Sequence, residues 1–178
     1  MILEFLMITK RLKDFSFEEI CGIRRTGGAA FFDRDGTINV DFGHVYRLED
    51  LVFVEGIPKI LRKFNEAGIP VIVITNQAGI AKGLYTEEAM RRFNRYMNEQ
   101  LRLLFGAHID AFYDCPHHPK AHCACRKPEP GMILRAAEDW QITLPNSVMF
   151  GDKETDRIAA ERAGIGMFYF VPEMRKAQ

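Results

Sequence analysis

The stretch "FFDRDGTIN", residues 31–39, ends an apolar run with two aspartates set two positions apart. Residues 29–33, "AAFFD", read as a buried strand, and at an extended strand end positions 33 and 35 project to the same side. Two carboxylates in one small volume repel unless a cation neutralises them or one keeps a proton. A hard divalent cation with oxygen ligands, such as Mg²⁺, is the natural solution. Gly36 lets the chain turn sharply after the pair, and Thr37 can bond nearby backbone. Taken alone, the segment also suits an Asx-type turn after a strand.

Working outward, strand and helix patterns alternate from residue 29 to the end. "IPKILRKFNEAG" carries Ile57, Ile60, Leu61 and Phe64 at helical spacing, with Pro58 near its start and Gly68 as a stop. "PVIVIT", residues 70–75, is a continuous apolar β-branched run, as in a central parallel strand covered on both faces. "TEEAMRRFNRYMNEQLRLLFG" is the clearest helix: Thr86 caps it, Glu87 and Glu88 suit its positive end, and Gly106 ends it. Its stripe of Met90, Phe93, Met97, Leu101 and Leu104 is expected to pack in the core. Strands at 109–114, 147–152 and 166–171, with helices at 131–140 and around 155–163, complete the pattern. The expectation is an α/β fold with an open, mostly parallel Rossmann-like sheet and helices on both faces. Residues 29–178 form its domain, and residues 1–28 are an N-terminal extension to which the sequence assigns no role, although "FSFEEICGI" suits a short helix packed on the sheet.

In such sheets ligands bind beyond the carboxyl ends of the strands. The polar clusters lie there: Asp33 and Asp35, then Thr75 and Asn76, then Asp114 to Lys127, then Asp152. Asp152, in "MFGDKETD", is a second strand-end acid able to complete a metal site, or else a helix N-cap; Asp156 suits capping better than direct ligation. "ITNQAGIAKG" sets a hydroxyl, amides and backbone N–H groups after the central strand, as donors to phosphate or as an ordinary turn.

In "CPHHPKAHCACRKPEPG", Cys115, His117, Cys123 and Cys125 are spaced C-x-H, five residues, C-x-C, a full tetrahedral set for a structural Zn²⁺. His118 and His122 compete as ligands on spacing alone. Arg126 and Lys127 follow at once, and Pro128 and Pro130 stiffen what comes after; the pair reads as an anion clamp rather than a solvated charge pair.

The bulk properties are permissive. At 178 residues the chain suits one compact domain, and its 47% hydrophobic and 27% charged content is that of a globular protein. Lys+Arg and Asp+Glu both number 24, so no global basic field argues for nucleic acid. No apolar run approaches the roughly 18–20 residues of a membrane span. The start "MILEFLMITKRLKD" is broken by Glu4, lacks a preceding positive charge and is followed by no small-residue cleavage pattern, so it reads as part of the mature chain. Clustered thiols beside histidines fit a reducing compartment, and the expected location is cytoplasmic.

With these residues in hand, the chain resembles the haloacid dehalogenase superfamily of phosphatases from about residue 29 to 171, through "DRDGT" at 33–37, Thr75, Lys127 and "GDKETD" at 151–156. Within it, "DRDGTINVDFGHV", "VIVITNQAGIAKGLYT" and "CPHHP…CACRKPEPGM" resemble the heptose-1,7-bisphosphate 7-phosphatases, with the histidinol-phosphate phosphatases as near relatives. The resemblance implies a Mg²⁺-dependent phosphomonoesterase without a large cap domain, acting on a small phosphorylated sugar in heptose supply for bacterial surface polysaccharide, and not on nucleic acid or membranes. It implies Asp33 as nucleophile and Mg²⁺ ligand, Asp35 as acid and base with its carbonyl on the metal, and Asp152 as the further Mg²⁺ ligand. Thr75 and Lys127 would hold the transferring phosphoryl group. Asp41, Phe42, Gly43, His44, Asn76, Gln77, Ala78, Arg126 and Lys153 would meet the rest of the substrate, with Arg126 on the second phosphate. A monomer is expected. Rival readings are a histidinol-phosphate phosphatase, a DNA-end phosphatase, and a zinc-stabilised binding module that has lost catalysis.

Overall fold

The computed structural model describes residues 7–172; the first six residues of the N-terminal extension and residues 173–178 lie outside the described residues. Six strands form one sheet: β1 (Ile8–Arg11), β2 (Ala30–Phe32), β3 (Val71–Asn76), β4 (Ala111–Cys115), β5 (Val148–Gly151) and β6 (Met167–Phe170). Their order is β1-β6-β5-β2-β3-β4, and every pairing is parallel. Five α-helices connect them: α1 (Phe17–Arg25), α2 (Ile57–Glu66), α3 (Glu87–Phe105), α4 (Gly131–Trp140) and α5 (Glu154–Ala163). This is the expected α/β sheet covered on both faces.

The period of two along each strand builds two cores. Phe32, Val71, Val73, Val148, Phe150 and Tyr169 face one side, where α2 and α3 bring Leu61, Phe64, Phe93 and Met97. Phe31, Ile72, Ile74, Met149 and Phe168 face the other, against Ile133 and Ala136 of α4 and Ala159 and Ala160 of α5. On the first side, Phe32 stacks on Phe150 at 4.6 Å and Phe150 on Tyr169 at 5.2 Å, with Phe64 edge-on to both phenylalanines. The stack runs across β2, β5 and β6 and fixes their register.

Two details differ from the sequence reading. Leu104 is exposed (61%), so the buried stripe of α3 ends at Leu101, and the buried Asn94 joins it. Residues of the N-terminal extension enter the same sheet. Ile8–Arg11 pairs with β6, and Ile20 of α1 sits in the core. Glu19 ties the two together by accepting from the Tyr169 hydroxyl and from Lys10. The short "ITKR" carries no hydrophobic alternation because it lies on an edge of the sheet, with Ile8, Thr9 and Arg11 exposed and no residue fully buried.

Chain direction sets where a ligand goes. From β2 the chain steps to β3 and β4 on one side, then returns to β5 and β6 on the other. The reversal lies at β2, so the carboxyl ends of β2, β3 and β5 open onto one crevice. Among the described residues no helix is long and apolar enough to cross a membrane.

Phe150→Ala removes the centre of the aromatic stack and is expected to destabilise the fold by about 3–5 kcal/mol. Urea unfolding checks this, and a loss well below that range would mean that the register does not depend on the stack.

Candidate active site

Asp33 is the first residue past β2, and its N–H is bound to the Phe150 carbonyl at 2.9 Å. Asp152 is the first residue past β5, the neighbouring strand. Between them the 34–39 loop folds tightly, with Gly36 N–H donating to the Asn39 carbonyl at 2.7 Å. Gly36 has φ of +91°, and a Cβ there would lie 2.3 Å from Asp152 Oδ2. The glycine therefore serves both the turn and the close approach of the Asp152 carboxylate.

Carboxylate oxygens of Asp33, Asp152 and Asp156 lie within 4.8 Å of one another. The Lys127 ammonium, 94 residues from Asp33 in sequence, enters this cluster. It lies 2.6 Å from Asp33 Oδ1 and 2.7 Å from Asp156 Oδ1, and donates to the Ile74 carbonyl at 2.8 Å. Burial lowers its pKa, but Asp156 and then Asp33 more than compensate and raise it. Asp33 goes the other way from an ordinary carboxylate. Burial and then Asp156 push its pKa well up, Lys127 pulls it back, and Asp152 adds to the rise. Asp152 is also raised, by burial and by Asp156, with Lys153 opposing. Its Oδ1 is buried without a hydrogen-bond partner. A cluster of buried oxygens with one acceptor left over fits a hard divalent cation. The carboxylates drawn together are thus Asp33, Asp152 and Asp156. The Asp35 side chain turns elsewhere, which leaves only its main chain for such an ion.

Asp35 is held by a separate network. Arg34 meets both its oxygens, at 3.1 and 2.9 Å, Asn39 donates to Oδ1 at 3.0 Å and Gln77 to Oδ2 at 3.0 Å. Burial would raise its pKa, but Arg34 and then Asn39 and Gln77 outweigh burial and lower it. Gln77 also donates to Thr75 Oγ1 at 2.8 Å and accepts from the Tyr85 hydroxyl at 2.6 Å. Tyr85, its pKa pushed up to about 12 chiefly by burial, sets the hydroxyl end of its ring against Gly79, where a Cβ would lie 2.1 Å from a ring carbon. This explains a glycine in "QAGIAKG" without a phosphate loop. Asn76 clips the Lys127 backbone at both ends of its amide, accepting from the N–H at 3.0 Å and donating to the carbonyl at 3.1 Å. Asn76 and Gln77, read as substrate contacts, thus spend their amides on holding other residues in place.

A cavity of about 450 Å³ opens over these groups. Asp33, Asp35, Thr75, Asn76, Gln77, Lys127 and Asp156 line it, with Asp41, Gly43, His44, Ala78, Arg126 and Lys153 also on its wall. The exposed Phe42 does not line it, although Asp41 and Gly43 on either side do. Lys153 reaches Asp41 Oδ2 at 3.2 Å and links two walls. Arg126 has a buried Nη1 with no hydrogen-bond partner. Lys82, Tyr85 and Thr155 line the cavity too, and sequence reasoning missed them. A signal was present for Lys82, which lies within the "ITNQAGIAKG" stretch, and for Thr155, which precedes Asp156 in "GDKETD".

Beside the cavity, Cys115 ends β4 and meets the 123–125 turn. Its Sγ is 3.5 Å from His117 Nδ1 and from Cys123 Sγ, and 3.1 Å from Cys125 Sγ. His117 Nδ1 lies 3.1 Å from Cys125 Sγ, and the Cys123 and Cys125 sulfurs are 3.3 Å apart. These separations approach the ~3.8 Å edge of a tetrahedron with metal–sulfur bonds of about 2.3 Å. His118 is turned away, its Nδ1 accepting from Lys120 N–H at 3.2 Å, and neither it nor His122 belongs to the cluster. Gly131 closes the other side: its N–H donates to the Ala124 carbonyl, and a Cβ would collide with that oxygen at 2.3 Å. The loop therefore sits directly on the start of α4, with Lys127 at its exit.

The family described as HAD-hydrolase-like matches residues 124–169. The chain is 43% identical over 140 residues to D-glycero-beta-D-manno-heptose-1,7-bisphosphate 7-phosphatase of Helicobacter pylori, covering 79% of this chain and 81% of that one. To the enzyme of that name from Escherichia coli it is 39% identical over 145 residues, 78% of this chain and 75% of that one. Among solved structures it is similar to the D,D-heptose 1,7-bisphosphate phosphatase from B. bronchiseptica complexed with magnesium and phosphate. There the TM-score is 0.74 at 30% identity, over 79% of this chain and 78% of that one.

Gly36→Ala and Gly43→Ala separate strain from collision, because both glycines have positive φ but only Gly36 touches a neighbour. Each is expected to lose about 1 kcal/mol or more from backbone strain, and Gly36→Ala to lose distinctly more by displacing Asp152. Equal losses in thermal or urea unfolding would show that the approach of Asp152 is not tight.

Proposed function

From the chain's membership of the HAD-like phosphatase family, we propose that it hydrolyses the 7-phosphate of D-glycero-D-manno-heptose 1,7-bisphosphate through an aspartyl-phosphate on Asp33. The observation that carries this reading is the Asp33 carboxylate 2.6 Å from a buried Lys127 at the floor of the cavity, beside the unpartnered Asp152 oxygen. The names of the curated relatives support the substrate.

An ionised Asp33 oxygen attacks phosphorus in line with the ester oxygen as the bond from phosphorus to that oxygen breaks. Asp35, in the protonated form that Arg34, Asn39 and Gln77 make a minority in the free enzyme, gives its proton to the departing oxygen. Asp35 then takes a proton from water as that water attacks the acyl phosphate, releasing phosphate and restoring Asp33. Lys127 and the Thr75 hydroxyl meet the phosphoryl oxygens, where positioning and charge do most of the work. Asp33, Asp152 and the main chain of Asp35 would hold Mg²⁺, with Asp156 beside them. When bound, that ion supplies positive charge against the transferring phosphoryl group. Arg126, with its spare buried donor, meets the phosphate that stays. His44, Ala78 and Lys153 line the way to it, along with Asp41 and Gly43. Cys115, His117, Cys123 and Cys125 would hold a structural Zn²⁺, which would stiffen the loop carrying Arg126 and Lys127.

Phosphate release with Mg²⁺ from both anomers of the heptose bisphosphate, beside histidinol phosphate, tests the reaction and the substrate. Turnover of the bisphosphate is expected, falling on the order of 10³-fold or more in Asp33→Asn. Preference for histidinol phosphate would overturn the substrate, and no release from any of them would overturn the reaction. Metal analysis of the purified protein is expected to give about one zinc per chain. Cys123→Ser should lose the zinc and with it most activity; a zinc-free variant of full activity would contradict the stiffening role.

A further inference from the structure

Arg34 stands between the two aspartates, and its side chain is wholly buried. A turn at this position would be served by any small polar residue. Instead a guanidinium is taken out of water and its donors are satisfied on three sides. Nε and Nη2 form a fork on the two oxygens of Asp35, Nη1 donates to Asn94 Oδ1 at 2.9 Å, and Nη2 donates to the Val45 carbonyl at 2.6 Å. The Phe93 ring lies 4.8 Å from its central carbon. Phe93 and Asn94 both belong to α3, so the helix grips the guanidinium and the guanidinium grips Asp35. None of these groups other than Asp35 lines the cavity.

We propose that Arg34 is a positioning residue that aims the Asp35 carboxyl at the leaving-group oxygen, and that Asn94 holds Arg34 in the orientation this needs. The inference rests on the phosphatase reading above and deepens it. A planar fork fixes both the place and the plane of a carboxylate, which a single hydrogen bond or a lysine does not. The rival is a staple that merely joins the 34–39 loop to α3.

Leaving groups distinguish the two. Cleaving a sugar phosphate needs a proton delivered to an alkoxide as the bond to phosphorus breaks, whereas 2,4-dinitrophenolate departs without one. The ratio kcat/KM covers the chemistry only up to departure of that group. Arg34→Lys is therefore expected to lower kcat/KM about 10²-fold on the heptose bisphosphate, with 2,4-dinitrophenyl phosphate held within about threefold. Asn94→Leu changes nothing on the cavity wall and is expected to show the same selectivity, with about a tenfold loss on the sugar phosphate. If Arg34→Lys fails to fold, Asn94→Leu decides. Equal losses on the two esters, or no loss on either, overturn the positioning role while the phosphatase reading stands. A wild-type protein that cleaves neither ester overturns both.

Discussion

A buried ammonium is the constraint around which the crevice is organised. Lys127 is almost fully enclosed, and a charge so placed survives only where its desolvation is repaid by close partners. Asp33, Asp156 and the Ile74 carbonyl are those partners, contributed by the ends of β2 and β3 and the first turn of α5. The lysine therefore pins three elements that the sheet alone brings only roughly together. It is itself delivered by a loop with little apolar content. Asn76 on one side and the Cys115, His117, Cys123 and Cys125 cluster on the other do for this loop what a hydrophobic core does elsewhere.

The two aspartates of "DRDGT" meet opposite environments within three residues. Asp33 lies among other carboxylates, and burial and Asp156 raise it despite Lys127. Asp35 is largely enclosed too, yet Arg34, Asn39 and Gln77 hold it below the usual carboxylate range. Paired carboxyls pushed apart in this way are suited to different tasks. For the division proposed here, nucleophile and acid/base, Asp33 must ionise against this rise, which Lys127 favours and a divalent cation among Asp33, Asp152 and Asp156 would favour further, and Asp35 must take up a proton against its fall. The supports of the two are also separate: Asp33 depends on the metal-type cluster and Lys127, Asp35 on α3 and on Tyr85 through Gln77.

The sheet was legible because its strands are continuous apolar runs and its helices begin and end on Thr86, Gly106 and comparable signals. The residues at the strand ends, Asp33, Thr75 and Asp152, were legible for the same reason, since topology converges them. The Cys and His spacing identified its cluster down to two competing histidines, which local geometry at His118 and His122 then separates. What the sequence hid lies in contacts between distant segments. Arg34 is assigned no role from the sequence, because its partner Asn94 comes from α3, 60 residues away. Tyr85 is assigned none either, because its contacts with Gly79 and Gln77 form only in the fold. β1 has no periodicity to read, and Leu104 keeps the period of α3 beyond the point where the core ends. Phe42 belongs to a segment whose neighbours face the cavity while it does not.

Hydrolysis by the route proposed above passes through a phosphoryl group covalently held on Asp33. Acid-quenching the protein within milliseconds of mixing with labelled substrate, and mapping the phosphoryl group by mass spectrometry, looks for that species itself. A hydroxylamine-labile phosphoryl group is expected on the peptide containing Asp33, and none in Asp33→Asn. Phosphate release by an enzyme that never carries label, or carries it on another residue, would contradict that route.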